Sequence, residues 1–381
     1  MILTDNAVIY AIMSLVCAIL LSYAFTPLVR VIAYKIGAID VPKDNRRMHK
    51  KPIPLIGGLA IFLGFFVTCL FFCNYSKELF ILLGGGLLIV ILGIFDDVYS
   101  LNAWFKFFCQ IAISTGAVLS GVRIEQLNLG GEYISLGMWS IPLTILWITG
   151  LTNAINIIDG LDGLSCGVST ISSISILCVL IIQKADFTSI LITLILIGSC
   201  LGFFPSNRNP AKIFMGDTGA LFLGYTLSVI SVQGMFKLHT VISLLVPLLI
   251  FALPLADTLS AIIRRLLAGK SPFSADRGHL HHKLIDLGFT QRGAVKILYS
   301  ICGILGLVAV FICENMFSRY NIIKSVAIAA IAIIIFILYI PVMKNPADRY
   351  NTGLIDMPEE AEHKCQNNAA EHDSTDGKAD T

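Results

Sequence analysis

The chain has 381 residues, of which 56% are hydrophobic and 14% charged, and its mean hydropathy is +0.81. That balance excludes an ordinary soluble protein of this length, because repeated runs of about 20 apolar residues read as membrane-spanning helices. The formal net charge of +2 decides little, since the charges are unevenly placed, and no nucleic-acid partner is expected. The ten cysteines include no C-x-x-C pair; most, like Cys69 and Cys178, lie in apolar runs and read as small buried hydrophobes.

The N-terminal stretch lacks the basic region of a cleaved signal peptide and reads as a retained first helix. Apolar segments follow at 7–32, 54–73, 79–95, 104–121, 139–155, 164–182, 188–205, 217–236, 240–266, 294–314 and 322–342. The fold expected is an all-α polytopic membrane protein of about eleven transmembrane helices. The segment 139–155 is the weakest, being short and interrupted by Pro142. The stretch 122–138 alternates apolar and polar residues around Gly130-Gly131 and predicts a small external β-hairpin. Lys and Arg collect at 35–51 and 264–296, which puts those connections in the cytoplasm, the N-terminus outside and the C-terminus inside. The loop aspartates gather on the same side, Asp186 excepted, and none is read as sitting mid-span. Residues 1–343 form the membrane domain with cytoplasmic active-site loops; residues 344–381 read as a polar, disordered cytoplasmic tail.

Polar groups interrupt this pattern at a few places. In "DVPKDNRRMHKKPIPLIGG", Arg46, Arg47, His49, Lys50 and Lys51 form a basic collar suited to an anionic head group or nucleotide. In "GIFDD", Asp96 and Asp97 point about 100° apart on a helix and cannot do the same job. Lys106 follows about two and a half turns beyond Asp97 if that helix runs unbroken. In "TNAINIIDGLDGL", Asn153, Asn156, Asp159 and Asp162 recur every third residue and form a drifting polar stripe. Gly160 and Gly163 allow the backbone to leave regular helix there. Oxygen ligands of this kind suit Mg²⁺ or Mn²⁺ rather than zinc. Asp217 in "PAKIFMGDTG" opens an apolar helix, where a carboxylate and free backbone N–H groups can meet a metal-bound phosphate. In "FSADRGHLHHKL", Arg277, His279, His281, His282 and Lys283 fit phosphate and sugar better than zinc, because no cysteine is near and cationic neighbours repel a metal.

Together these motifs, in order from about Asp40 to Phe289, resemble the polyprenyl-phosphate N-acetylhexosamine-1-phosphate transferase family. The likeness is to the bacterial branch that uses UDP-N-acetylglucosamine and undecaprenyl phosphate to start teichoic acid, O-antigen or other surface polysaccharides. The resemblance implies Asp217 as the principal Mg²⁺ ligand, with Asn156 as its partner and Mn²⁺ as the second candidate ion. It implies Asp96, Asp97 and Asp217 as the catalytic acids. It also implies substrate contacts from Lys106, Asn153, Asp159, Asp162, Arg277, His279, His281, His282, Arg46 and His49. The segment "FFPSNRNPAKIF" departs from the family pattern, which has an aromatic-Asn pair where Ser206-Asn207 stand.

The function expected is transfer of GlcNAc-1-phosphate from UDP-GlcNAc to undecaprenyl phosphate, with release of UMP, at the cytoplasmic face of a bacterial plasma membrane. Membrane lipid and a second copy of the chain are the other expected partners. The alternative within the family is phospho-N-acetylmuramoyl-pentapeptide transferase. The His-Leu-His-His order, rather than three consecutive histidines, argues against it. The alternative of another class is a polytopic transporter, which the crowding of acids on one face disfavours.

Overall fold

The structure, a computed structural model, describes residues 5–41, 52–129, 132–234, 245–274 and 278–314. The expected span at 322–342, the tail at 344–381, and Arg46, His49 and Arg277 all lie outside the described residues.

A long helix, α1 (Asp5–Ile36), leads into a short antiparallel pair, β1 (Ile39–Asp40) with β2 (Ile53–Pro54). Three apolar helices follow: α2 (Gly58–Phe72), α3 (Lys77–Tyr99) and α4 (Ala103–Leu119). The expected hairpin is present as β3 (Gln126–Leu129) against β4 (Glu132–Ser135), with Leu129 opposite Glu132. Gly130 and Gly131, which separate the two strands in sequence, lie outside the described residues. Then come α5 (Ser140–Ile158), α6 (Leu164–Ile182), α7 (Phe187–Asn207) and α8 (Gly216–Gly234). The described chain closes with α9 (Leu245–Ile250), α10 (Ala252–Leu267), α11 (Leu280–Asp286) and α12 (Gln291–Glu314).

Among the described residues, six helical stretches are long and apolar enough to cross a membrane: Asn6–Ile36, Lys77–Tyr99, Gly137–Ile158, Leu164–Ile182, Phe187–Asn207 and Gln291–Cys313. Helices α2 and α4 are apolar but shorter. The protein is thus an all-α polytopic membrane protein with a small β-hairpin. Helices α3, α4 and α7 start where short polar side chains cap them. Asn102 Oδ1 accepts from Trp104 N at 2.9 Å, and Asp186 Oδ2 accepts from Ser189 N at 2.9 Å. On α1, Ile12, Met13, Leu20 and Tyr23 are exposed, as befits a face turned to lipid rather than water.

One expected span is two helices. The segment 240–266 breaks at Phe251, between α9 and α10, where the backbone leaves helical conformation at φ −102°, ψ 13°. Pro254 then falls in the first turn of α10, where its missing N–H is one the helix does not need.

Helix α8 stands at the centre, packed against α5, α3 and α2, and every residue from Thr218 to Val232 is buried. Its sequence is apolar or small on all sides, which is the pattern of an enclosed helix. Its first turn meets α2 and α3 backbone to backbone. A Cβ on Gly58 would lie 2.0 Å from the Gly219 Cα, and one on Gly93 2.4 Å from the Thr218 Cα. Gly57 N and Gly58 N donate to Phe214 O and Met215 O at 2.9 and 2.8 Å, tying the chain before α2 to the chain before α8. The glycines of "PLIGG", "GIFDD" and "MGDTG" thus bring three motifs to one point.

Candidate active site

The site begins at the turn between α3 and α4. Ser100 takes a left-handed conformation, φ 52°, and its N–H donates to Asp96 O at 2.8 Å. The side chain of Asp96 completes the turn, with Oδ1 accepting from Leu101 N at 2.8 Å. The helix therefore does not run unbroken from Asp97 to Lys106. Lys106 lies in the first turn of the next helix, folded back on the acids. Its Nζ donates to Asp96 Oδ2 at 2.5 Å and to Asp217 Oδ2 at 2.9 Å. The Lys106 and Asp217 side chains are 22% and 29% exposed, so this bridge lies open to a ligand.

Asp97 faces another way. Its Oδ1 accepts from Asp217 N at 2.9 Å; its Oδ2 accepts from Thr218 N at 3.0 Å and Thr218 Oγ1 at 2.6 Å. Asp97 is thus the cap of α8, supplied from another helix. This corrects one expectation: the N–H groups of Asp217 and Thr218 are occupied rather than free. Two acids adjacent in sequence divide the work as their roughly 100° separation requires.

The polar stripe ends sooner than its spacing predicts. Asn153 and Asn156 share a face of α5, but the helix stops at Ile158 and Asp159 is its C-terminal cap. Asn153 donates to Gln110 Oε1, and to Thr149 O at 2.8 Å, so its amide is engaged within the α4–α5 contact. Asn156 reaches the Asp217 carboxylate. Asp162, expected to contact substrate, holds the loop before α8: Oδ2 accepts from Asn209 Nδ2 at 2.9 Å and Ala211 N at 3.0 Å. Asn207, where the sequence departs from the family pattern, donates to Ile213 O at 3.1 Å in the same loop. The Asp159 carboxylate has no hydrogen-bond or cationic partner among the described residues. Burial, then the charges of Asp217, Asp97 and Asp162, push its carboxyl well above the usual carboxylate range.

The histidine segment closes the site from α10 and α11. Asp257, buried in α10, accepts from His279 Nδ1 at 2.9 Å and from Leu280 N at 3.0 Å. His279 and His281 stack with centroids 5.8 Å apart and planes 4° from parallel. His281 and His282 are 4.3 Å apart. His281 rests on the backbone of Gly160, where a Cβ would lie 2.2 Å from Nε2. That close approach gives a reason for one glycine in "IIDGLDGL", and it joins the histidines to the end of α5. Burial, then the charges of His282 and His279, push the His281 imidazole down to about 4 against the opposing pull of Asp257.

The structure therefore brings together Asp96, Asp97, Lys106, Asn156, Asp159 and Asp217, with His279, His281 and His282 beside them. Asn153 and Asp162 support neighbouring elements. Asp257 was missed by the sequence reading, because it lies inside the apolar segment 240–266. An acid within such a run was itself the signal. The donor set suits a hard divalent cation. Asp96, Asp97 and Asp159 lie around Asp217, the Lys106 ammonium bridges Asp96 and Asp217, and Asp159 is left unbalanced. No group of three or more His, Cys, Asp or Glu among the described residues forms a ready ligand cage. Mg²⁺ does not need one, since it keeps waters and takes one or two carboxylates together with substrate phosphates.

Residues 79–235 match the family described as glycosyl transferase family 4. Among its relatives, a probable undecaprenyl-phosphate N-acetylglucosaminyl 1-phosphate transferase of Bacillus subtilis is 39% identical over 88% of this chain and 91% of its own. The chain belongs to glycosyl transferase family 4. A decaprenyl-phosphate N-acetylglucosaminephosphotransferase of Mycolicibacterium smegmatis is 33% identical over 87% of this chain and 88% of its own. An undecaprenyl-phosphate alpha-N-acetylglucosaminyl 1-phosphate transferase of Yersinia pestis is 29% identical over 85% of this chain and 89% of its own. In this family 4 chain the matched stretch holds Lys106, Asp217 and the acids gathered at Asp217, while the histidine segment lies beyond it.

Proposed function

We propose that the chain transfers GlcNAc-1-phosphate from UDP-GlcNAc to undecaprenyl phosphate, giving undecaprenyl-pyrophosphoryl-GlcNAc and UMP. The observation that carries this reading is the bridge from Lys106 to Asp96 and Asp217, beside Asn156 and the histidine segment. It is a cationic and carboxylate site of the kind two phosphate substrates require. The names of the relatives favour GlcNAc transfer over the muramoyl-pentapeptide and transporter readings.

The acceptor phosphate has a second pKa of about 6 and is largely dianionic at neutral pH. One of its oxygens attacks the phosphorus that carries GlcNAc. The bond to the UMP oxygen breaks, and a new pyrophosphate bond forms. No strong general base is needed, and the acids are disposed accordingly. Asp97 is committed to the α8 backbone and Asp96 to Leu101 and Lys106. Lys106 is placed to neutralise phosphoryl oxygens, and the histidines to meet the nucleotide sugar. Asp217 and Asn156 would hold Mg²⁺, with Mn²⁺ as the second candidate; the ion would neutralise the pyrophosphate and the charge on departing UMP.

In the membrane the reading has about eleven spans, an outer N-terminus and hairpin, and a cytoplasmic site in a bacterial plasma membrane. Residues 1–343 act as one unit, with a homodimer as the natural assembly. The test is a donor panel on purified enzyme with undecaprenyl phosphate: UDP-GlcNAc, UDP-GalNAc and UDP-MurNAc-pentapeptide, each with and without Mg²⁺. UMP released from UDP-GlcNAc only with Mg²⁺ is the expected result. Release from the muramoyl donor alone, or lipid translocation without UMP, overturns it.

A further inference from the structure

Asp257 has no part in the mechanism above, yet its position is costly. It lies in the second turn of α10, is 2% exposed, and belongs to a segment apolar enough to be read as a membrane span. A carboxylate in such surroundings persists only if its oxygens are satisfied. Both are: Oδ2 by His279 Nδ1, Oδ1 by Leu280 N. A histidine nitrogen held by a carboxylate carries the proton, and that bond decides which face of the ring meets a ligand. With Nδ1 engaged, Nε2 is the nitrogen left for one. His281 lacks this support, because its Nδ1 is buried with no hydrogen-bond partner.

We infer that Asp257 is a positioning residue for the nucleotide-sugar donor. It fixes the Nδ1 proton of His279 so that Nε2 meets the donor, and through Leu280 N it sets the start of α11, which carries His281 and His282. The inference rests on the transferase reading. A purely mechanical anchor would need only some hydrogen bond at this point. The inference requires a carboxylate there, because an amide in its place turns an N–H toward Nδ1 and moves the ring proton to Nε2.

Asp257→Asn separates the two. Its side-chain oxygen can still accept from Leu280 N, so hydrogen-exchange protection over 278–286 should remain at the wild-type level. The kcat/KM for UDP-GlcNAc should fall about 10–100-fold, the loss found when the carboxylate that orients a metal-bound histidine is removed, since His279 is oriented in the same way. The fall should lie mainly in KM, with the acceptor KM unchanged. Wild-type kinetics, or a loss matched by loss of protection, overturns the inference. If the variant does not fold, the wild-type protein decides the matter through ¹⁵N-histidine NMR. The His279 signal, identified by its absence in His279→Gln, should report a proton on Nδ1, and a bare Nδ1 overturns the inference. Absence of UMP release by the wild-type protein would instead defeat the transferase reading and leave the NMR result standing.

Discussion

A carboxylate that accepts three hydrogen bonds from one helix start is fixed as that helix's cap. Asp97 is in that position, with Asp217 N, Thr218 N and Thr218 Oγ1 all donating to it. Asp97→Asn should therefore act through the placement of Asp217. It removes one charge-assisted bond from the α8 cap, worth about 1–3 kcal/mol. Both the melting temperature and kcat should fall, and exogenous base should not restore turnover; restoration would assign Asp97 to proton transfer. Asp217→Asn should abolish Mg²⁺-dependent UMP release while leaving the fold intact, and near-normal turnover would remove it from the metal site. His281 gives a pH prediction. Its folded pKa of about 4 lies below the ordinary value, so the unfolded segment binds more protons between about 6.5 and 4. Stability of the histidine segment is then full above that window and is lost as pH falls through it. Exchange protection over 278–286, corrected for intrinsic rates, should drop between pH 7 and 5. His281→Gln should flatten that dependence. At this scale the sequence displayed the acids that the structure gathers but not their partners. Asp97 and Asp217 are 120 residues apart, and no spacing rule links a cap to a helix so distant.

Among elements, the helices were largely legible because apolar length and polar caps are local properties. The stretch 164–182 predicted α6 to the residue, and the Gly130-Gly131 signal located the hairpin. Two boundaries were not legible. The break at Phe251 needs no polar residue, and prolines in an apolar run are tolerated in membrane helices, so 240–266 read as continuous. The turn at Ser100–Asn102 falls between the expected segments 79–95 and 104–121; its exact place, which folds Lys106 back on the acids, was not legible. The close crossing of α2, α3 and α8 makes its own prediction. Gly58→Ala places a methyl group within 2.0 Å of Gly219 Cα, a contact that backbone movement alone can relieve. Overpacking of this kind costs about 1–3 kcal/mol. The variant should melt at lower temperature and lose activity. Gly84→Ala, on α3 where a Cβ meets nothing within 4 Å, should be neutral.

For the whole molecule, hydropathy predicted the class of architecture, and the asymmetry of Lys and Arg predicted a sidedness that a labelling experiment can check. Cysteines placed at Lys184 and at Lys212 in a variant lacking its natural cysteines should react from opposite sides of sealed vesicles. Lys184 should be labelled from outside and Lys212 from inside. Labelling of both from one side would overturn the proposed topology. The site itself was only partly legible at this scale. Motifs in order along the chain picked out residues that the structure brings together, but their convergence depends on α8 standing between α3 and α5.

The crossing at Gly58, Gly93 and Gly219 has a mechanical consequence. Where two backbones touch with no side chain between them, there are no rotamers to absorb a displacement, so the joined helices shift as one body. A change in bilayer thickness should be taken up first by α1, which packs at the rim on α2 and α7 and turns apolar residues outward. The distance from Asp97 to the start of α8 would hardly change. Turnover in nanodiscs should then vary little between lipids two carbons shorter and two carbons longer than the native acyl chains, even where the tilt of α1 differs measurably.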